Sequence, residues 1–247
     1  MSIRSVWRAA VRDEWDGLQR ITRDIRAADI VTIANALMGL LAAVAVTEGR
    51  ITLAATLVLL GILLDGMDGA VARLSGGGGP LGGFLDTLAD TITFAVAPAV
   101  IAVAVAGRPP LWLLLAAGFY VTCVMLRLAR FEALREKKHM AYFSGLSSPG
   151  GAAVVVACVL LGLPLPATAT LMVVAGAFMV SRVRYPKLRG AVGAVAVLIL
   201  ITVISTAVWF PDRLADVSWT MMAFMVAYLT AGPFYVLRRF GATGRPA

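Results

Sequence analysis

Apolar residues run almost without interruption along this chain, broken only by short polar or glycine-rich segments. Uninterrupted stretches lie near residues 30–47, 51–72, 83–106, 110–130, 149–163, 166–181, 190–210 and 217–237. A run of about 20 apolar residues matches the roughly 30 Å of hydrocarbon in a bilayer, so the pattern predicts about eight transmembrane spans. Lipid-facing segments must satisfy their backbone hydrogen bonds internally, and no stretch shows the ten-residue alternation of a barrel strand. The predicted class is therefore all-α, a polytopic membrane helical bundle. Ahead of the spans, Ile3, Val6, Trp7, Ala10, Val11, Trp15, Leu18, Ile21 and Ile25 recur at helical spacing with Arg and Asp between them. This predicts an amphipathic helix lying on the membrane surface, with a solvated leader as the alternative. The expected organisation is a juxtamembrane segment over 1–29, a six-span core over 30–189, and two further spans with a tail over 190–247. Residues 1–29 lack the basic patch and apolar core of a cleavable signal peptide, so the first span is expected to be retained.

Composition agrees with this reading: 60% of the 247 residues are apolar and 15% are charged. All the Lys and Arg residues except Arg50, Arg108 and Arg213 fall on one side of the predicted spans. Because basic residues accumulate in cytoplasmic loops, both termini are expected in the cytoplasm and the protein in the plasma membrane. The net charge of +8 flanks spans and is not gathered on a soluble domain, which argues for anionic lipid as its partner and against nucleic acid. Cys123 and Cys158 sit in apolar runs without metal-ligand or disulfide spacing, and His139 lies in a polar loop.

Of the 14 acidic residues, four stand inside the bundle's apolar runs: Asp65, Asp68, Asp86 and Asp90. The others fall in loops, at span edges or in the N-terminal segment. A carboxylate at membrane depth costs about 2.5–3.5 kcal/mol, and like charges repel, so four together require a compensating partner. Asp65 and Asp68 are three apart and Asp86 and Asp90 four apart, so each pair projects from one helical face. Two antiparallel helices joined through Gly76–Gly79, Pro80, Gly82 and Gly83 would bring the pairs together. Hard oxygen ligands without His or Cys suit Mg²⁺ or Mn²⁺, which in turn bind substrate phosphates. Gly66, Gly69, Ala70 and Ala72 strip bulk from the helix beside the acids, and Arg73 can grip a diphosphate.

The pattern Asp-x2-Asp-Gly-x2-Ala-Arg-x8-Gly-x3-Asp-x3-Asp, carried by Asp65, Asp68, Gly69, Ala72, Arg73, Gly82, Asp86 and Asp90, resembles that of the CDP-alcohol phosphotransferases at every fixed position. The resemblance implies two divalent ions held by the four aspartates, with the cytidine nucleotide against Gly69 and Ala72 and Arg73 near its diphosphate. It implies Asp90 as the base for the acceptor hydroxyl. It also implies that the first span contributes Thr32 and Asn35 to the nucleotide site; an ordinary helix start and a packing amide are the alternative for these two. The family often forms homodimers, which makes a homodimer an expectation here.

Four further segments are similar to the phosphatidylserine synthase branch: FLDTLADTITFAVAPA, RLARFE, GLSSPGGAA and MVSRVRYPKLR. They imply transfer of a phosphatidyl group from CDP-diacylglycerol to L-serine with release of CMP, inositol phosphate or glycerol phosphate being the alternative acceptors. Arg127, Arg130, Arg182, Arg184 and Tyr185 are candidate acceptor contacts, or else anchors at the membrane interface. Ser147 and Ser148 are acceptor candidates that can equally be a helix N-cap before Pro149. The branch commonly shows GLPSPAAA where this chain has GLSSPGGAA, and the extra glycines lower local helix propensity. The last two spans read as packing helices. An ion-coupled transporter, the competing class, would place acids near mid-membrane within inverted repeats, unlike this one-ended cluster.

Overall fold

The computed structural model describes residues 26–74, 82–133, 142–186 and 190–240. The predicted surface helix over 3–26, the glycine run 76–79 and His139 lie outside the described residues. Among the described residues the fold is a helical bundle: α1 (Ala27–Thr47), α2 (Ile51–Leu74), α3 (Gly82–Ala104), α4 (Leu111–Ala133), α5 (Ser148–Leu160), α6 (Leu165–Val180), α7 (Gly190–Trp209) and α8 (Leu214–Phe240). Six of these, all but α5 and α6, are long and apolar enough to cross a membrane, which makes this a multi-pass membrane protein.

The eight expected spans thus resolve into six of full length and two shorter ones. With 13 residues, α5 is only about 20 Å long. Ten of those 13 residues are buried, so α5 is a central element wrapped by its neighbours and not a lipid-facing span. Small side chains allow this close wrapping: a Cβ on Gly151 would overlap Met179 Cε of α6. Gly151 of SSPGG gives up helix propensity and gains tight packing between α5 and α6. By contrast α7 leaves Val192, Val195, Leu198 and Ile201 exposed, as a helix on the lipid side should.

Two segments outside the helices pair with each other. Tyr142–Ser144 (β1) and Arg184–Pro186 (β2) form a short antiparallel ladder in which Phe143 opposes Tyr185. The last helix bears on this ladder: the Tyr228 hydroxyl donates to the Pro186 carbonyl (2.9 Å), and the Tyr185 hydroxyl donates to the Leu229 carbonyl (3.4 Å). Besides packing, α8 therefore buttresses the loop between α6 and α7.

The third helix is not a plain α-helix. Its middle, Thr91–Val96, is a π-helical turn placed immediately after Asp90. Pro98 has no N–H, so it cannot supply the usual bond to the carbonyl four residues earlier, that of Phe94. The buried Tyr120 hydroxyl of α4 donates to that carbonyl instead, at 2.8 Å. Thr93, in the same turn, is held between α1 and α2 and donates to the Asn35 carbonyl at 2.8 Å. Only glycines leave room for it. A Cβ on Gly39 would stand 2.7 Å from Thr93 Oγ1, and one on Gly61 would overlap Thr93 Cγ2.

Replacing Tyr120 with Phe should leave the Phe94 carbonyl unpaired in an apolar interior, a loss of about 1–3 kcal/mol. The expected outcome is a lowered thermal unfolding midpoint in detergent micelles; an unchanged midpoint would show that another donor serves this carbonyl.

Candidate active site

The two acidic pairs meet as their spacing predicts. Oxygens of Asp65 and Asp68 from α2 and Asp86 from α3 lie within 4.8 Å of one another, a group that can hold a metal ion. Asp90, one helical turn beyond Asp86, lies near enough to Asp65 and Asp86 for their charges to interact. Asp65, Asp68 and Asp86 are half-buried, while Asp90 is only 6% exposed. An octahedral Mg²⁺ with bonds of about 2.1 Å spans about 4.2 Å between opposite ligands, so the carboxylates need only small rotations to face a common ion. The all-oxygen donor set fits a hard divalent cation and offers nothing to a thiophilic one.

The first helix completes one wall. Thr32 Oγ1 lies 3.0 Å from Asp68 Oδ2, and it also lies 3.1 Å from the Ala28 carbonyl one turn back. The Asn35 amide donates from Nδ2 to Asp90 Oδ1 at 3.4 Å. Its Oδ1 is buried without a hydrogen-bond partner among the described residues. Thr32 and Asn35 thus touch two of the aspartates directly, which neither an ordinary helix start nor a packing amide requires.

A residue passed over as a span-edge acid belongs to the same wall. Asp29 is 1% exposed, accepts from the Arg26 backbone N–H at 2.7 Å, and lies near enough to Asp68 for their charges to repel. A Cβ on Gly82 would stand 3.1 Å from Asp29 Oδ1, so the glycine at the start of α3 makes room for this carboxylate. The signal was present in the sequence, since Asp29 precedes Thr32 by one helical turn.

Cationic compensation comes from α4. Arg127 is 8% exposed and interacts electrostatically with Asp90 and Asp65. Its Nη1 donates to Ser148 Oγ at 2.6 Å, and its guanidinium lies 5.8 Å from the centre of the Phe131 ring. Ser147 caps α5 by accepting from the Gly150 N–H at 3.2 Å. Within the SSP segment Ser147 is therefore the helix cap, and Ser148 faces the arginine beside the acids.

The remaining candidates are placed differently. Arg130 directs its guanidinium to backbone carbonyls of Ser144, Met179 and Val180. Tyr185 turns inward against Tyr228, ring centres 5.4 Å apart, and burial pushes its phenol up to about 12. Arg182 is exposed and Arg184 half-buried at the ladder. Gly69 is half-buried on α2 beside Asp68. Ala72 and Arg73 continue that helix, and their side chains lie outside the described residues.

The profile of the family described as CDP-alcohol phosphatidyltransferase matches residues 25–230, a stretch running from just before α1 to Thr230 in α8. The chain is 29% identical over 213 residues to a CDP-diacylglycerol–serine O-phosphatidyltransferase of Helicobacter pylori, covering 83% of this chain and 88% of the relative. It is 32% identical over 176 residues to an archaetidylserine synthase of Methanothermobacter thermautotrophicus, covering 70% and 74%. A CDP-diacylglycerol–serine O-phosphatidyltransferase of Mycobacterium leprae is 39% identical over 110 residues; that match takes in 42% of this chain and only 36% of the relative's length. With the four aspartates at one bundle end and the family profile spanning all eight helices, the chain belongs to the CDP-alcohol phosphatidyltransferase family.

Proposed function

We propose that this protein is a CDP-diacylglycerol–serine O-phosphatidyltransferase, acting at the cytoplasmic face of the plasma membrane in phospholipid synthesis. The observation that carries the reading is the meeting of Asp65, Asp68 and Asp86 within 4.8 Å, with Asp90 beside them. The relatives whose names specify a serine product support the choice of acceptor.

Asp65, Asp68, Asp86 and Asp90 would hold two divalent ions, Mg²⁺ or Mn²⁺. When bound, such ions neutralise charge on the diphosphate and polarise the phosphoryl group to be transferred. The protein's own groups do the rest. Thr32 fixes the Asp68 carboxylate and Asn35 the Asp90 carboxylate, so each acid presents an oriented lone pair. As the family motif implies, Gly69 and Ala72 would take the nucleotide and Arg73 would supply a cation for the diphosphate. Asp90 takes the proton of the serine hydroxyl as its oxygen forms a bond to the lipid-bearing phosphorus. The bond from that phosphorus to the CMP oxygen breaks, and CMP leaves in line with the attack. Arg127, oriented by Ser148, is the cation next to this reaction centre and the best placed of the candidates to meet the serine carboxylate.

The test is to incubate the purified protein with CDP-diacylglycerol and Mg²⁺ or Mn²⁺, adding serine, inositol phosphate or glycerol phosphate separately, and to follow CMP. Serine alone should support release. Release with a phosphorylated alcohol instead would reassign the acceptor, and silence with all three would defeat the reading. Asp65→Asn and Asp86→Asn should each abolish turnover and weaken metal binding measured by titration calorimetry, since each removes a ligand charge. For Asp90→Asn, kcat should fall about 10²- to 10⁴-fold, the usual contribution of a positioned base, while CDP-diacylglycerol affinity changes much less. Equal losses in kcat and affinity would move Asp90 from base to simple ligand.

A further inference from the structure

Arg127 and Arg130 lie three residues apart, on one face of α4, yet the structure gives them opposite tasks. Arg127 donates to Ser148 within electrostatic range of Asp90 and Asp65, whereas Arg130 Nη1 donates to the Val180 carbonyl (2.9 Å) and Nη2 to the carbonyls of Met179 (3.0 Å) and Ser144 (2.9 Å). Val180 ends α6, and the last carbonyls of a helix have no partner within it. At this end every one of the last three is occupied: Phe178 O accepts from Leu146 N at 3.1 Å, and Met179 O and Val180 O accept from Arg130. A guanidinium can do this because it carries five donors in a rigid fork and complements the negative end of the helix dipole.

The neighbouring turn is shaped to the same contact. Gly145 has φ +84, a conformation that L side chains rarely adopt, and its N–H donates to Val183 O at 2.7 Å. A Cβ there would overlap Met179 O and stand 3.1 Å from Arg130 Nη2. The clasp therefore fixes the segment Ser144–Leu146 against the end of α6. Directly after that segment, Ser147 caps α5 and Ser148 receives Arg127.

We infer that Arg130 is a positioning residue and not an acceptor contact: it clasps the C-terminus of α6 to the Gly145 turn, and so sets where α5 begins and how Ser148 holds Arg127 beside the aspartates. The kinetic part of this inference rests on the proposed serine transfer; the clasp itself does not. Displacing the start of α5 by a fraction of an ångström loosens the acceptor side of the site while leaving the α1–α2 wall in place. The chemistry is one of geometry, and a Lys replaces it poorly: its three donors radiate from one nitrogen, whereas the guanidinium sets two nitrogens against carbonyls of two segments.

The test uses the full chain in detergent with Arg130→Lys, Ser148→Ala, Gly145→Ala, and the doubles Arg130→Lys/Ser148→Ala and Arg130→Lys/Gly145→Ala. Arg130→Lys should lower kcat/KM for serine by about 10- to 100-fold, the scale of a small misplacement, with the KM for CDP-diacylglycerol within twofold of the parent. Ser148→Ala should give a similar acceptor defect, and its double should be no worse than the poorer single, since both act through the same contact. A direct role for Arg130 in binding serine would instead give multiplying losses in that double, and would overturn the inference. Unfolding midpoints provide a reading independent of activity: Arg130→Lys and Gly145→Ala should each lower the midpoint, and together by less than the sum. Additive shifts would break the clasp. Absence of CMP release by the parent with every acceptor would sink the serine assignment alone, leaving the midpoints to judge Arg130.

Discussion

Inside a bilayer no water is at hand to complete a hydrogen bond or screen a charge, so each polar group must find its partner in the protein. That constraint explains the otherwise unrelated features of this bundle. Pro98 leaves the Phe94 carbonyl without its helical donor, and Tyr120 crosses from α4 to supply one. The last carbonyls of α6 have no partner within the helix, and Arg130 takes two of them. Four carboxylates gather where two helices approach, and Arg127 lies buried next to them as a partial counter-charge. Among the described residues one arginine faces four acids, and such an excess of negative charge is what a site for hard cations needs.

The same bookkeeping shows why the site has the shape it does. Thr93 ties the π turn of α3 to α1, so Asp90 leaves the helix just before the turn that is locked by Gly39, Gly61 and Asn35. A π turn shifts the facing of the residues on either side of it, and such turns are found frequently at functional sites. Here it lets α3 present Asp86 and Asp90 to α2 at one end while seating Phe94, Ala97 and Ile101 in the main core at the other. Preorganisation of the aspartates thus comes from packing well below them.

Reading from sequence worked where chemistry and spacing coincide. The acids stood out because carboxylates in apolar runs are costly, and their offsets of three and four residues fixed a shared face. The all-helical class followed from the backbone's need to bond to itself, and the three-residue strands of the ladder are too short to carry an alternating pattern. Span length was less legible: α5 reads as apolar as a lipid-facing helix, since burial by neighbours and burial by lipid select the same residues. Arg127 and Arg130 were equivalent on paper, being basic, three apart and on one face; only the position of the α6 terminus separates them. Asp29 was set aside as an edge residue because its burial depends on where α3 begins, and Pro98 could be seen in VAPAV while its replacement donor, 22 residues away in Tyr120, could not.

The last two helices show how support reaches a site from outside its own elements. Tyr228 and Leu229 of α8 each bond to β2 across the boundary expected near residue 190. β2 pairs with β1, β1 offers Ser144 O to Arg130, and Gly145 follows at once. A path of hydrogen bonds therefore runs from α8 through the ladder to Ser144, and the chain itself carries it on through Gly145 to Ser148 and Arg127. The family profile also ends at residue 230, immediately after these two contacts, so the matched stretch takes in the part of α8 that bears on the ladder.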